Sequence, residues 1–179
     1  MSDPGTESLL KSLAAGREPA FVELYDRFSE RLYRAALAML GRDEDAQDAV
    51  QEVFLAMVRS RRKLAGVEDL AAYLFASLRH AAGRLAARRA RRPDTPHGAM
   101  ADAAAQPTWP RRPDPRGERL ARALGALPDE QREVVAMKIH GGLTFAQIAL
   151  AAGIPPNTAA SRYRYALAKL RGSLEEPET

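Results

Sequence analysis

The sequence predicts an all-α protein, two small helical domains joined by an extended proline-rich linker. Three observations carry that reading. Apolar residues recur at helical spacing up to about residue 92. The same spacing returns after Glu118. Between them, Pro93 to Gly117 has prolines throughout and no apolar period, the composition of a linker rather than of a core. The organisation expected is an N-terminal extension over residues 1–16, a first domain over 17–92, the linker over 93–117 and a second domain over 118–174.

Glu7 to Ala15 can form a short helix closed by Gly16. Pro19 suits a first helical turn, and Phe21, Leu24, Tyr25, Phe28, Leu32, Ala35 and Met39 continue a stripe to Leu40, with Gly41 as the break. From Asp43, a candidate N-cap, to Ser60 the chain places Ala46, Ala49, Val50, Val53, Phe54 and Met57 on one face, while Glu44 and Asp45 favour the positive helix end. A basic loop with Gly66 follows. The next helix runs from about Leu70, with Tyr73, Leu74, Leu78, Ala81 and Leu85 on one side, and Pro93 ends it, since proline cannot continue a helix. Beyond the linker, Leu120, Leu124 and Leu127 begin one helix, and Pro128, Asp129 and Glu130 open another that carries Val134, Val135, Met137 and Ile139. Thr144-Phe145-Ala146-Gln147 has the form of a capping box, so a helix starts there. Gly153 supplies a tight turn, and Pro155-Pro156-Asn157 opens a last helix to Leu170, expected to bury Ala159, Tyr163, Ala166, Leu167 and Leu170.

The totals narrow the function. Net charge is +4 over 179 residues, a balance that suits a polyanionic partner. There is no cysteine, so a disulfide framework and a thiolate metal site are both excluded, which fits a reducing compartment. No apolar run reaches membrane-spanning length and no signal-peptide pattern opens the chain, so a soluble cytoplasmic protein without membrane insertion is expected. His80, His97 and His140 are scattered, and neither a phosphate loop nor Ser-His-Asp spacing is present. No catalytic residue, metal site or cofactor is therefore predicted.

Three features point to binding instead. On the Asp43–Ser60 helix, Asp48, Gln51, Glu52 and Leu55 form a second stripe opposite the apolar one. That is either a solvated face or a docking face for a partner helix. Basic residues cluster at Arg59, Arg61, Arg62 and Lys63 and again at Arg84, Arg88, Arg89, Arg91 and Arg92. Such groups neutralise phosphates, and Tyr73 and Phe75 nearby can stack on an unpaired base. A capped short helix, a glycine turn and a longer arginine-bearing helix describe a helix-turn-helix at the C-terminal end.

The stretches LYDRFSERLYRAALAMLGRDEDAQDAVQEVF, YLFASLRHAAGRLAARRARR, LPDEQREVV and TFAQIALAAGIPPNTAASRYRYALAKLR together resemble the extracytoplasmic-function sigma factors of bacterial RNA polymerase. The resemblance covers both helical domains, and two independent motifs in this order are far more specific than either alone. It implies a region 2 and a region 4. Region 2 would dock Asp48, Gln51, Glu52 and Leu55 on the clamp helices of the polymerase β′ subunit. The loop from about Arg61 to Asp69 would capture a base flipped from the −10 strand. Arg61, Arg62, Lys63, Tyr73, Arg84 and Arg88 form the expected −10 set. Region 4 would lay its last helix in the major groove of the −35 element, near the β flap. There Ala160, Ser161, Arg164 and Tyr165 take reading positions, while Thr158 and Arg162 grip phosphates. Ala72 or Tyr73 and His80 stand where many members carry Trp and Asn, and Ala160 stands where a basic residue is common.

The resemblance thus implies a non-enzymatic initiation factor whose partners are core RNA polymerase and promoter DNA, with an anti-sigma protein as a further candidate. Two other readings use fewer of these features. A polymerase-binding adaptor or antagonist needs only the docking stripe, and a freestanding helix-turn-helix regulator needs only the last helix.

Overall fold

The computed structural model describes residues 4–91 and 115–175; Trp109, His97 and most of the proline-rich linker lie outside them. Among the described residues the chain is helical without strands: α1 (Pro4–Ala14), α2 (Glu18–Leu40), α3 (Asp43–Arg59), a 3-10 helix η1 (Arg61–Gly66), α4 (Leu70–Arg91), α5 (Pro115–Gly125), α6 (Asp129–Ile139), α7 (Phe145–Ala152) and α8 (Pro156–Glu175).

The helix breaks fall where the sequence places them. Gly41 ends α2 in the left-handed conformation (φ 72°), its N–H bonded to Leu37 O, a geometry glycine adopts without a Cβ penalty. The start of α3 differs from expectation. Arg42 is the N-cap and makes no side-chain cap. Asp43 is already helical, and its carboxylate accepts from Tyr33 Oη at 2.6 Å and from Gln47 Nε2 at 3.2 Å. The acid thus ties α3 to α2 instead of capping its own helix. The basic stretch after Ser60, expected as a loop, winds into η1 around the buried Leu64.

The first bundle, α1 to α4, closes on Leu13, Leu24, Leu32, Val53, Met57, Leu64, Leu74, Phe75 and Leu78, all 2% exposed or less. The second, α5 to α8, has a smaller cluster of its own made of Ala123, Leu124, Leu127, Val135, Ala166 and Leu170. Its remaining apolar side chains, Val134, Met137, Leu143 and Ile148 among them, enter the core of the first bundle. α6 packs on α2 and α7 on α4.

Polar contacts seam the two bundles. Arg79 Nε meets Glu133 Oε2 at 2.7 Å, Arg132 Nε donates to Met39 O at 3.0 Å, and Gln147 Nε2 donates to Asp69 Oδ2 at 2.9 Å. Arg31 donates to Gly141 O from both Nε and a terminal nitrogen while its guanidinium lies 5.1 Å from the Phe28 ring centroid. Gly141 has no room for a side chain. A Cβ there would come within 2.7 Å of Phe75 Cε1 and 2.5 Å of Met137 O.

This packing corrects three expectations about apolar faces. Phe75 is fully buried, with the Gly141 turn after α6 packed against its ring, so it offers no face to a base. Ile139 is 56% exposed and Leu167 37% exposed, because α6 and α8 turn those positions away from both clusters.

Candidate functional site

α3 exposes its second stripe as its spacing implies. Ala46, Ala49, Val53 and Met57 are buried, whereas Asp48, Gln51 and Leu55 are exposed and Glu52 half-buried. Glu52 is not isolated. Its Oε1 accepts from Arg84 at 2.6 Å, and Asp45 lies 3.7 Å from Arg89. The structure therefore joins a residue of the docking set to one of the basic set, and the acidic face of α3 runs directly into the arginine-rich half of α4. Both partners of the Glu52–Arg84 pair are substantially solvated, so the pair contributes at most about 1 kcal/mol to stability. Its consequence is orientation.

η1 exposes Arg61, Arg62 and Lys63 and anchors itself through Leu64. Asp69 then opens α4, its Oδ1 accepting from Ala72 N at 2.8 Å. Tyr73 is half-buried against the core, leaving part of its surface accessible, while Arg84 and Arg88 are exposed farther along α4.

α7 and α8 form the helix-turn-helix. Thr144 Oγ1 accepts from Gln147 N at 3.2 Å, and Gln147 Oε1 accepts from Thr144 N at 3.0 Å, so two orphan donors of the helix start are satisfied. Gly153 turns the chain at φ 66°. Phe145 meets Tyr163 edge-on at 5.6 Å between centroids, and Lys138 Nζ lies 4.9 Å from the Phe145 centroid. These contacts fix the angle between the two helices. α8 buries Ala159, Ala166 and Leu170. The opposite side carries the exposed Arg164 and Tyr165, with Thr158, Ala160, Ser161 and Arg162 half-buried beside them. Arg162 is held by Glu130 at 2.5 Å, whereas Arg164 reaches solvent.

Two candidate surfaces thus lie on one molecule, an acid-and-leucine face continuous with a basic helix, and a helix-turn-helix with an outward arginine. The chain matches the family models of Sigma-70 region 2 over residues 24–92 and Sigma-70, region 4 over residues 117–170. It belongs to the extracytoplasmic-function sigma factors. Curated relatives agree. The chain is 26% identical over 181 residues to the ECF RNA polymerase sigma factor SigK of Mycobacterium tuberculosis H37Rv, covering 94% of this chain and 93% of that one. It is 28% identical over 180 residues to SigK of Mycobacterium ulcerans Agy99, covering 94% and 92%. Two solved structures share the fold. CnrH in complex with the cytosolic domain of CnrY matches with a TM-score of 0.69 at 24% identity, covering 94% of this chain and 96% of that one. The sigma factor RpoE in complex with the anti-sigma factor NepR from Bartonella quintana matches with a TM-score of 0.60 at 22% identity, covering 82% and 91%.

Sequence reasoning for this sigma factor missed Arg31, Arg79, Arg132, Glu133 and Gln147, which seam regions 2 and 4. Each pairs across a long stretch of chain, and a single sequence carries no signal for such partners. Among the described residues no helix is long and apolar enough to cross a membrane, and no group of three His, Asp or Glu residues could hold a metal ion.

Proposed function

We propose that this sigma factor binds core RNA polymerase through Asp48, Gln51, Glu52 and Leu55, and directs it to promoters with two DNA surfaces. The β′ clamp helices are the partner assigned to that stripe, and the β flap is the neighbour assigned to region 4. Arg61, Arg62, Lys63, Tyr73, Arg84 and Arg88 serve the −10 element. Thr158 and Arg162 hold −35 phosphates, and Ala160, Ser161, Arg164 and Tyr165 face the −35 bases. The chain performs no bond chemistry and works in the cytoplasm beside the polymerase. Residues 17–92 and 118–174 act as regions 2 and 4, joined by 93–117.

The observation that carries this reading is the exposed stripe on α3 beside a complete helix-turn-helix. A freestanding DNA-binding regulator has no use for the first, and a polymerase-binding antagonist has no use for the second. An anti-sigma protein is a further partner we assign, because one fold neighbour is the sigma factor RpoE solved with the anti-sigma factor NepR.

Gln51→Lys and Asp48→Lys test the docking face. Glu52→Lys is the weaker choice, since it also repels Arg84. Loss of an interfacial charge contact costs about 2–5 kcal/mol where the contact is buried in the complex. Co-purification with core enzyme should fall while the thermal unfolding of the free protein stays put. Undiminished co-purification of both variants would remove the assignment. In vitro transcription from a promoter pool separates the sigma factor from the adaptor and from the freestanding regulator.

A further inference from the structure

The N-terminal helix α1 lies outside the region 2 match, which begins at residue 24. Its packing gives it more than a terminal role. α1 lies chiefly against η1 and secondarily against α2. Leu9, Leu10 and Leu13 are 5% exposed or less and share one cluster with Leu64 of η1, which is fully buried. At the end of α1 the chain turns at Gly16 with φ 74°, its N–H bonded to Leu13 O. The Arg61 side chain rests directly on that turn. A Cβ on Gly16 would stand 3.0 Å from Arg61 Nε and 3.4 Å from its Cδ.

η1 has little else to hold it. It is six residues of 3-10 helix, a geometry with poor hydrogen bonds that is seldom stable in isolation. Leu64 is its one fully buried side chain, and its links at either end are Lys63 N to Ser60 O and Val67 N to Leu64 O. Yet it must keep Arg61, Arg62 and Lys63 side by side on the surface. Like charges that crowd one short turn repel, so an ordered display of three cations needs an external brace.

We infer that α1 and the Gly16 turn are positioning elements for the −10 segment. The leucines of α1 clamp Leu64, and the bare backbone of Gly16 seats the stem of Arg61, so the basic residues of η1 meet the separating strand in a fixed arrangement. This rests on the assignment of η1 to the −10 element made above.

The experiment uses holoenzyme reconstituted from core polymerase and the full chain. Permanganate reactivity of −10 thymines is read on an intact promoter duplex, and transcript yield on the same promoter with its −10 bases already mismatched open. Gly16→Ala and Leu10→Ala are the test variants, and Arg61→Ala, Arg62→Ala and Lys63→Ala together report on the assignment. The expected result is about a tenfold loss of melting on intact duplex for Gly16→Ala. Yield on the opened template and holoenzyme assembly should be retained. Equal loss on both templates would make α1 a general stabiliser and overturn the inference. So would normal melting by both test variants while the triple variant is defective. If the triple variant melts the duplex normally, the −10 assignment of η1 fails and the inference falls with it.

Discussion

Regions 2 and 4 of this chain bury apolar surface in different ways. Region 2 has a core of long side chains contributed by every one of its helices. Region 4 keeps a small cluster for itself and lends its larger residues to the other core. α6 shows the division at one turn. Val134 and Met137 face region 2, Val135 faces the region 4 cluster, and Ala136 between them is fully buried. Small bundles bury too small a fraction of their surface to be strongly stable alone. Region 4 therefore gains order from region 2 when the two are packed together. On the proposed function region 2 reads a −10 element and region 4 a −35 element, which lie far apart on a duplex that rises about 3.4 Å per base pair, so reading both would require parting this seam. The −35 helix must then work on what region 4 retains by itself, namely the capping box, the Phe145–Tyr163 contact and the α5–α8 cluster.

Phe75→Ala is the largest expected break in that arrangement. The ring sits in the shared core, against the bare backbone of Gly141. Truncating a fully buried phenylalanine costs about 3–5 kcal/mol. Denaturant unfolding should show region 2 weakened and region 4 released from it, seen as a separate, less stable transition. Leu127→Ala, in the region 4 cluster, should instead leave region 2 unmoved. If Phe75→Ala gives one transition of unchanged midpoint, the two cores are not shared.

The recognition helix comes next in size. Arginine on a guanine edge contributes about 1–3 kcal/mol of discrimination, whereas a phosphate contact weakens all sequences alike. Arg164→Ala should relax preference at one or two −35 positions, while Arg162→Ala should lower affinity uniformly and flatten its salt dependence. The pairing of Arg162 with Glu130 adds a refinement, because Glu130→Gln should strengthen DNA binding by freeing that guanidinium. Selection of bound promoters with each variant decides the matter. An unchanged −35 preference for Arg164→Ala would place another residue in the groove.

The capping box, the glycine turns and the burial pattern of α3 were legible in the sequence because local spacing and local backbone chemistry determine them, whereas α5 begins at Pro115, inside the expected linker. The family followed from the same motifs. Phe75, Ile139 and Leu167 were misread for one physical reason. Periodicity says that a helix has an apolar face but not which neighbours cover its other faces, and α4 is covered on a second side by α7. Asp43 was misread as a cap because Tyr33, ten residues earlier, competes for its carboxylate. The α1–η1 contact was equally hidden, since a leucine pattern over eleven residues does not name its partner.

The Arg79–Glu133 pair offers a gentler test of the seam. Its side chains are 33% and 24% exposed, so its worth is about 1 kcal/mol after allowing for solvent screening. Arg79→Glu should bring the regions apart more often, read as a lower energy-transfer efficiency between dyes placed on α2 and α8. Adding Glu133→Arg should restore it. A double variant no better than the single would show that the pair does not orient the seam.

The smallest effect concerns His140, which caps the C-terminus of α6 and bonds through its backbone N–H to Ala136 O. A helix C-terminus favours a protonated imidazole. Burial opposes that, as does the nearby Arg34 guanidinium, and together they hold His140 below its ordinary value of 6.5. The folded chain consequently binds fewer protons here than the unfolded chain does at mildly acidic pH. The stabilisation from a neutral His140 is complete above 6.5 and declines as pH falls through the lowered folded value. The denaturant midpoint should therefore drop on acidification within that window, and His140→Gln should flatten that part of the profile. Arg34→Gln should shrink the drop only in part, because burial is the larger cause of the lowered value and Arg34 the lesser. Taking away that cation makes protonation of the folded chain easier and raises the folded value towards 6.5, so the drop in the Arg34→Gln variant is shallower, and a steeper one would show that His140 is not the group responsible.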